Sequence, residues 1–263
     1  MNPIDTLFQS LRAAKRKAFM PFVTAGDPDL AFTRELIPAV AESGANLIEV
    51  GFPFSDPIAD GPVIQASYTR ALDKKLKLAD IFSTFGSIKP TVPLVSMASY
   101  SLMYKRGVST FIDSAKAAGF SGAVVPDVPV EEAEELSKLT ADRDFKLILL
   151  VTPTTSPERA AKVVKACSGF VYVVSVVGIT GERAKMAGGV PELLARLRTM
   201  TDLPLCVGFG VSRPEHVRDL KEIADGVIVG SALVKKLEAA GTDRAAALNS
   251  VRQLVKELSS ALV

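Results

Sequence analysis

Apolar positions along the chain follow two alternating patterns. Short runs rich in Val, Ile, Leu and Phe, each closed by Gly, Pro, Asp or Ser, occupy residues 18–25, 46–53, 93–99, 122–127, 146–153, 170–176, 204–210 and 226–231. Between them lie segments with apolar residues three and four positions apart, among them 30–43, 130–141, 157–166, 191–200 and 214–223. Near-continuous apolar runs read as strands buried on both faces, and the three-and-four spacing reads as amphipathic helices. Strand and helix therefore alternate, which predicts an α/β protein with a parallel sheet covered by helices, and eight is the number of strands that closes a (β/α)₈ TIM barrel. An open, doubly wound sheet is the alternative. In either architecture functional groups belong at the carboxyl ends of the strands. Ahead of the first strand, Ile4, Leu7, Phe8 and Leu11 share a helical face after Asn2 as N-cap and Pro3 at the first helical position, an extra N-terminal helix.

Composition narrows the picture. The 263 residues are close to the ~250 typical of one such barrel, so a single domain over 1–263 is expected. Hydrophobic residues at 48% supply a large core, and 31 basic against 29 acidic residues leave no footprint of a nucleic-acid binder. Lys15-Arg16-Lys17 reads as a solvated helix end. With neither a signal-peptide pattern nor a long uncharged apolar stretch, a cytoplasmic protein is expected. Cys167 and Cys206 stand in apolar or small-residue surroundings, too far apart for a CxxC site, and are expected to be reduced. The single histidine, His216, falls in a helical segment; it argues against a Ser-His-Asp triad and against a zinc site needing several His or Cys ligands.

The chemistry sits at the strand ends. Glu49 lies within Leu47-Ile48-Glu49-Val50-Gly51, a carboxylate in an apolar strand, and such burial demands either a structural partner or a task. Desolvation would raise its pKa into the range useful for acid–base work. The long loop that follows holds Asp56 and Asp60, readable as turn or cap residues or, for Asp60, as a second carboxylate across a shared substrate. On the other side of the barrel, Gly208, Gly210, Gly230 and Ser231 end the seventh and eighth strands, where barrels commonly hold phosphate on backbone N–H groups. The glycine-rich segment 177–189 reads as a lid. Phe22, Met97, Leu150 and Phe209 lie near the mouth and serve equally as core or pocket. A lysine is missing from 170–176 and metal ligands are scarce, which argues against Schiff-base and metal-assisted chemistry.

Motifs spread over almost the whole length carry a closer resemblance. They are Pro21-Phe22-Val23-Thr24-Ala25-Gly26-Asp27-Pro28; the run from Glu49 through Pro53-Phe54-Ser55-Asp56-Pro57-Ile58-Ala59-Asp60-Gly61-Pro62; Pro126-Asp127-Val128-Pro129; Gly178-Ile179-Thr180-Gly181; Gly208-Phe209-Gly210-Val211-Ser212; and Gly230-Ser231-Ala232. With these the chain resembles the tryptophan synthase alpha family. The resemblance implies a lyase that splits indole-3-glycerol phosphate by a retro-aldol reaction, with Glu49 as general acid–base and Asp60 on the indole N–H. It implies phosphate on Gly181, Gly210, Gly230 and Ser231, with Tyr172 beside Glu49, Thr180 against Asp60, and Phe22 and Phe209 flanking the indole. Pro53 and Asp56 would face a beta subunit in an alpha2beta2 assembly; that partner would carry pyridoxal phosphate, and this chain no cofactor or metal. Two departures bear on pocket shape and coupling: Ser99 and Ser101 stand where the family usually has Tyr and Asn, and Val176 and Val177 where it often has Arg or Thr. The alternatives are a phosphosugar isomerase on the same barrel and a non-catalytic subunit that activates a beta partner.

Overall fold

The structure is a computed structural model that describes residues 1–57, 60–175, 189–208 and 210–262. It opens with α1 (Pro3–Ala13), β1 (Ala18–Thr24), α2 (Leu30–Glu42), β2 (Ile48–Gly51), α3 (Pro62–Leu72) and α4 (Leu78–Ser87). There follow β3 (Leu94–Met97), α5 (Tyr100–Arg106), α6 (Val108–Ala117), β4 (Phe120–Val124), α7 (Ala133–Ala141), β5 (Lys146–Ile148) and β6 (Leu150–Val151). The last part holds α8 (Pro157–Ala166), β7 (Val171–Val174), α9 (Val190–Arg198), β8 (Leu205–Gly208), α10 (Pro214–Lys221), β9 (Gly226–Val229), α11 (Ser231–Leu237) and α12 (Arg244–Ser260).

All strand pairings are parallel, in the order β5-β4-β3-β2-β1-β9-β8-β7-β6. The two end strands are consecutive pieces of one run. β5 bonds to β4, β6 bonds to β7, and Leu149 between them passes its carbonyl to the Tyr172 N–H at 3.1 Å, so the sheet curls back on itself as a (β/α)₈ barrel. The fifth apolar run, expected as one strand over 146–153, is thus split where its pairing changes sides. The strands are also shorter than the apolar runs, although flanking residues such as Ala25, Phe52, Ala98 and Val125 each still donate a backbone N–H to the neighbouring segment. The helix expected over 130–141 begins only at Ala133: Pro129 closes a turn through the Glu132 N–H, which holds the preceding residues out of the helix.

Side chains alternate across each strand, and this divides the apolar residues into two cores. Phe19, Val23, Ile48, Val50, Leu147, Val171 and Val173 face outward to the helices. Met20, Phe22, Leu47, Val95, Met97, Val124, Ile148, Tyr172, Cys206 and Ile228 fill the interior. The foot of the barrel is plugged by α1, whose Phe8 lies 5.8 Å from the Phe170 ring. Asn2 caps α1 as the sequence predicts, its Oδ1 accepting from the Ile4 N–H. Its Nδ2 donates to the Ser121 and Asp144 carbonyls and pins the helix to the sheet.

Candidate functional site

Glu49 shares strand parity with Leu47 and therefore points into the interior, paired in register with Phe22 on β1 and Val95 on β3. It is 1% exposed, and neither carboxylate oxygen has a hydrogen-bond partner among the described residues. Asp60 enters from above, at the end of the loop after β2; its N–H bonds to the Pro57 carbonyl, and its own carbonyl accepts from Gln65 Nε2 at 2.8 Å, which ties it to the first turn of α3. Gly61 caps that helix and Pro62 takes its first turn, where a missing N–H does no harm. Burial pushes the Asp60 carboxyl from 3.8 up to about 7. Burial, and then the facing charge of Asp60, push Glu49 from 4.5 up to about 8. At neutral pH Glu49 is a protonated acid in an apolar interior, with a second carboxylate beside it.

Two tyrosines close around the pair. Tyr68, on the α3 face formed with Ile64 and Ala71, and Tyr172 on β7 are both buried, and both have pKa values raised well above the usual phenol by burial and by the charges of Glu49 and Asp60. Their seats depend on glycine. A Cβ on Gly51 would lie 2.3 Å from the tip of Phe22 and 2.6 Å from the Tyr68 hydroxyl, and one on Gly208 would lie 2.3 Å from the Tyr172 hydroxyl. Phe22, Met97 and Tyr172 are buried interior residues around Glu49, and Leu150, half-buried, pairs in register with Tyr172. A small depression of about 20 Å³ beside Asp60 is lined in part by Phe54, Tyr68, Met97, Ser99 and Asp127.

Across the mouth, Gly210 has a φ of 75°, a left-handed conformation that suits glycine, and Gly230 with Ser231 begins α11. Gly230 lies against Phe22, and Ser231 is exposed. Strand order sets β9 next to β1, so this end of the barrel and the Phe22–Glu49 pair share one mouth. Gly181, Thr180 and Phe209, with Val176, Val177 and nearly all of the expected lid, lie outside the described residues. In the loop after β2, Asp56 is exposed and bonded to the Ser55 hydroxyl, whereas Pro53 is buried.

Tyr68 was not singled out from the sequence, although its spacing from Ile64 and Ala71 is a helical apolar face. Asp127 was missed as well. Its carboxylate accepts from Ser99 Oγ at 2.6 Å and from the Tyr100 N–H at 2.7 Å, fixing the start of α5 at the rim. Ser99 itself caps that helix by accepting from the Ser101 N–H. His216, in α10, accepts weakly from the Ser212 N–H, and Cys167 and Cys206 are free and buried. No group of metal-ligating side chains is found among the described residues, and no helix among them is long and apolar enough to cross a membrane.

Comparison with known proteins meets this geometry. The family model described as tryptophan synthase alpha chain matches residues 8–263. The tryptophan synthase alpha chain of Rhodopirellula baltica is 48% identical over 90% of this chain and 87% of that protein. That of a Synechocystis species is 46% identical over the full length of both. Among solved structures, tryptophan synthase of Mycobacterium tuberculosis superposes with a TM-score of 0.90 at 34% identity, over 99% of this chain and 98% of that one. The alpha subunit from Legionella pneumophila does so with 0.88 at 33% identity, over 100% and 98%.

Proposed function

The chain belongs to the tryptophan synthase alpha chain family, a lyase family that cleaves indole-3-glycerol phosphate, and on that premise we propose how its own residues perform the cleavage. Protonated Glu49 delivers its proton to C3 of the indole, and the ring becomes an indoleninium whose N–H is held by the Asp60 carboxylate. The Glu49 carboxylate then takes the proton of the hydroxyl on the adjacent glycerol carbon. The bond between that carbon and C3 breaks, its electrons return to the ring, and indole and glyceraldehyde 3-phosphate are formed. Glu49 ends protonated, as it began, and the substrate has served as its own electron sink.

The observation that carries this assignment is the buried, partnerless carboxyl of Glu49, raised to about 8 beside Asp60. A buried polar group without a partner is costly in a folded protein, and a substrate that presents a hydroxyl and a basic carbon to it supplies what the fold withholds. Phosphate would rest on the N–H groups around Gly210, Gly230 and Ser231, together with Gly181. The indole would sit between Phe22 and Phe209, with Met97, Leu150 and Tyr172 shaping the pocket and Thr180 reaching Asp60.

The same reading gives the chain one barrel domain over 1–263, a cytoplasmic location and no cofactor of its own. Its partner is a beta subunit holding pyridoxal phosphate, in an alpha2beta2 assembly, and receives the indole. Exposed Asp56 offers the contact in the loop after β2, and buried Pro53 sets the shape of that loop. The test is release of glyceraldehyde 3-phosphate from indole-3-glycerol phosphate, by the protein alone and with a beta subunit. Release should rise with the partner, and in Glu49→Gln should fall by about 10³-fold, within the range for loss of a general acid–base. Folded Glu49→Gln that cleaves at the wild-type rate overturns the assignment.

A further inference from the structure

At the foot of the barrel, opposite the mouth, a cavity of about 320 Å³ opens between the end of α1 and the residues that precede β8 and β9. Its floor is apolar, made by Phe8, Leu11 and Pro204, and its wall carries Arg12, Lys15, Arg16 and Lys17. Asp225 is the one carboxylate among the described lining residues, and it is already engaged by Arg198 and by the Leu205 N–H at 2.9 Å. Arg12 donates one N–H to the Asp202 carbonyl. Lys15, Arg16 and Lys17 take part in none of the ion pairs among the described residues.

A solvated helix end, as the sequence suggests for this basic run, has no need of a hollow with an apolar floor. The local backbone holds the cations around that hollow: the Arg16 N–H bonds to the Leu11 carbonyl and the Lys15 N–H to the Arg12 carbonyl, with Lys15 at a φ of 53°, and the chain turns at once into β1. The volume is at the small end of the ~300–1,000 Å³ range of small-molecule sites. We propose that this cavity binds a small amphiphilic anion, an aromatic or acyl body lying on Phe8 and Leu11 with a phosphate, sulfonate or carboxylate head among Lys15, Arg16 and Lys17. The site is separate from Glu49 and Asp60, and its occupant would clamp α1 to the barrel foot, adding stability in proportion to its saturation.

The probe is 8-anilinonaphthalene-1-sulfonate, an aromatic anion whose fluorescence rises on apolar contact. It is titrated into the wild type and into the double variant Lys15→Ser with Arg16→Ser. Both side chains are exposed, so the fold is expected to stand, as checked by far-ultraviolet circular dichroism. Saturable one-to-one binding that weakens at least about tenfold in the variant, weakens with added salt, and is displaced by inorganic pyrophosphate supports the site. Equal affinity in both proteins, binding that pyrophosphate does not displace, or no saturable binding overturns it.

Discussion

Glu49 and Asp60 are both buried carboxyls, and their different surroundings divide the work between them. Glu49 must hold its proton to act first as an acid, whereas Asp60 must be ionised to hold a cationic N–H. With Asp60 raised to about 7 and Glu49 to about 8, kcat/KM should climb as pH passes the first value and decline past the second. Each limb belongs to the interacting pair, so Asp60→Asn should both lower the rate and remove the lower limb. Initial rates across this range decide the matter, and a flat profile would sink the acid–base roles. Stability carries a matching signature. Glu49 goes from 4.5 to about 8 and Asp60 from 3.8 to about 7 on folding, so the folded chain holds these protons more tightly than the unfolded one. Their contribution is fully present below the unfolded values and is lost as pH rises through the folded ones. Urea midpoints should therefore fall between acidic and mildly alkaline pH, and Glu49→Gln should flatten that fall.

At the scale of single elements, the ends of the strands decide whether a catalytic side chain has room. β8 ends in Gly208 because the Tyr172 hydroxyl occupies the space that a side chain would need, 2.3 Å from its Cβ. Gly208→Ala should displace Tyr172, cost about 1–3 kcal/mol as an overpacked core position does, and slow cleavage. A denaturation midpoint equal to wild type would show that the ring yields freely. On the opposite wall, α5 begins with Ser99, whose hydroxyl caps the helix and also donates to Asp127. Ser99→Ala should cost about 1 kcal/mol, the usual toll of a lost N-cap, leaving Asp127 with the Tyr100 N–H alone. Ser99 is thus built into the rim by the hydrogen bond that it donates to Asp127.

For the whole molecule, the barrel works because distant segments are tied together. α3, which carries Tyr68 and follows Asp60, is fastened to β1 by the Thr24–Ser67 hydroxyl pair at 2.6 Å and to the β1 loop by Arg70 gripping Asp27 with two hydrogen bonds. Asp27 is 1% exposed and Arg70 about one-third exposed, so Arg70→Ala strands a buried carboxylate and should cost about 1–3 kcal/mol. If the tie also positions Asp60, kcat should drop while the Glu49 limb of the pH profile stays; unchanged stability would remove the ion pair from this account. The alternation of apolar runs and amphipathic segments was enough, by itself, to determine the order of the strands, the capped N-terminal helix and the carboxylate buried in β2, because each depends on local periodicity and the cost of burying charge, whereas the doubled helices α3/α4, α5/α6 and α11/α12 went beyond a simple alternation. The motif from Glu49 to Pro62 also made the family legible. Tertiary structure alone decided that the fifth run splits at Leu149, since only closure tells a strand which neighbour to bond. It alone added Tyr68 to the group around Glu49, whereas Asp60 and Tyr172 were expected there from the loop and the family resemblance; contacts between residues far apart in sequence leave no periodic trace. The hollow beneath Lys15-Arg16-Lys17 likewise exists only once α1 has packed against the foot of the barrel: a run of cations looks the same in sequence whether it faces water or surrounds a cavity.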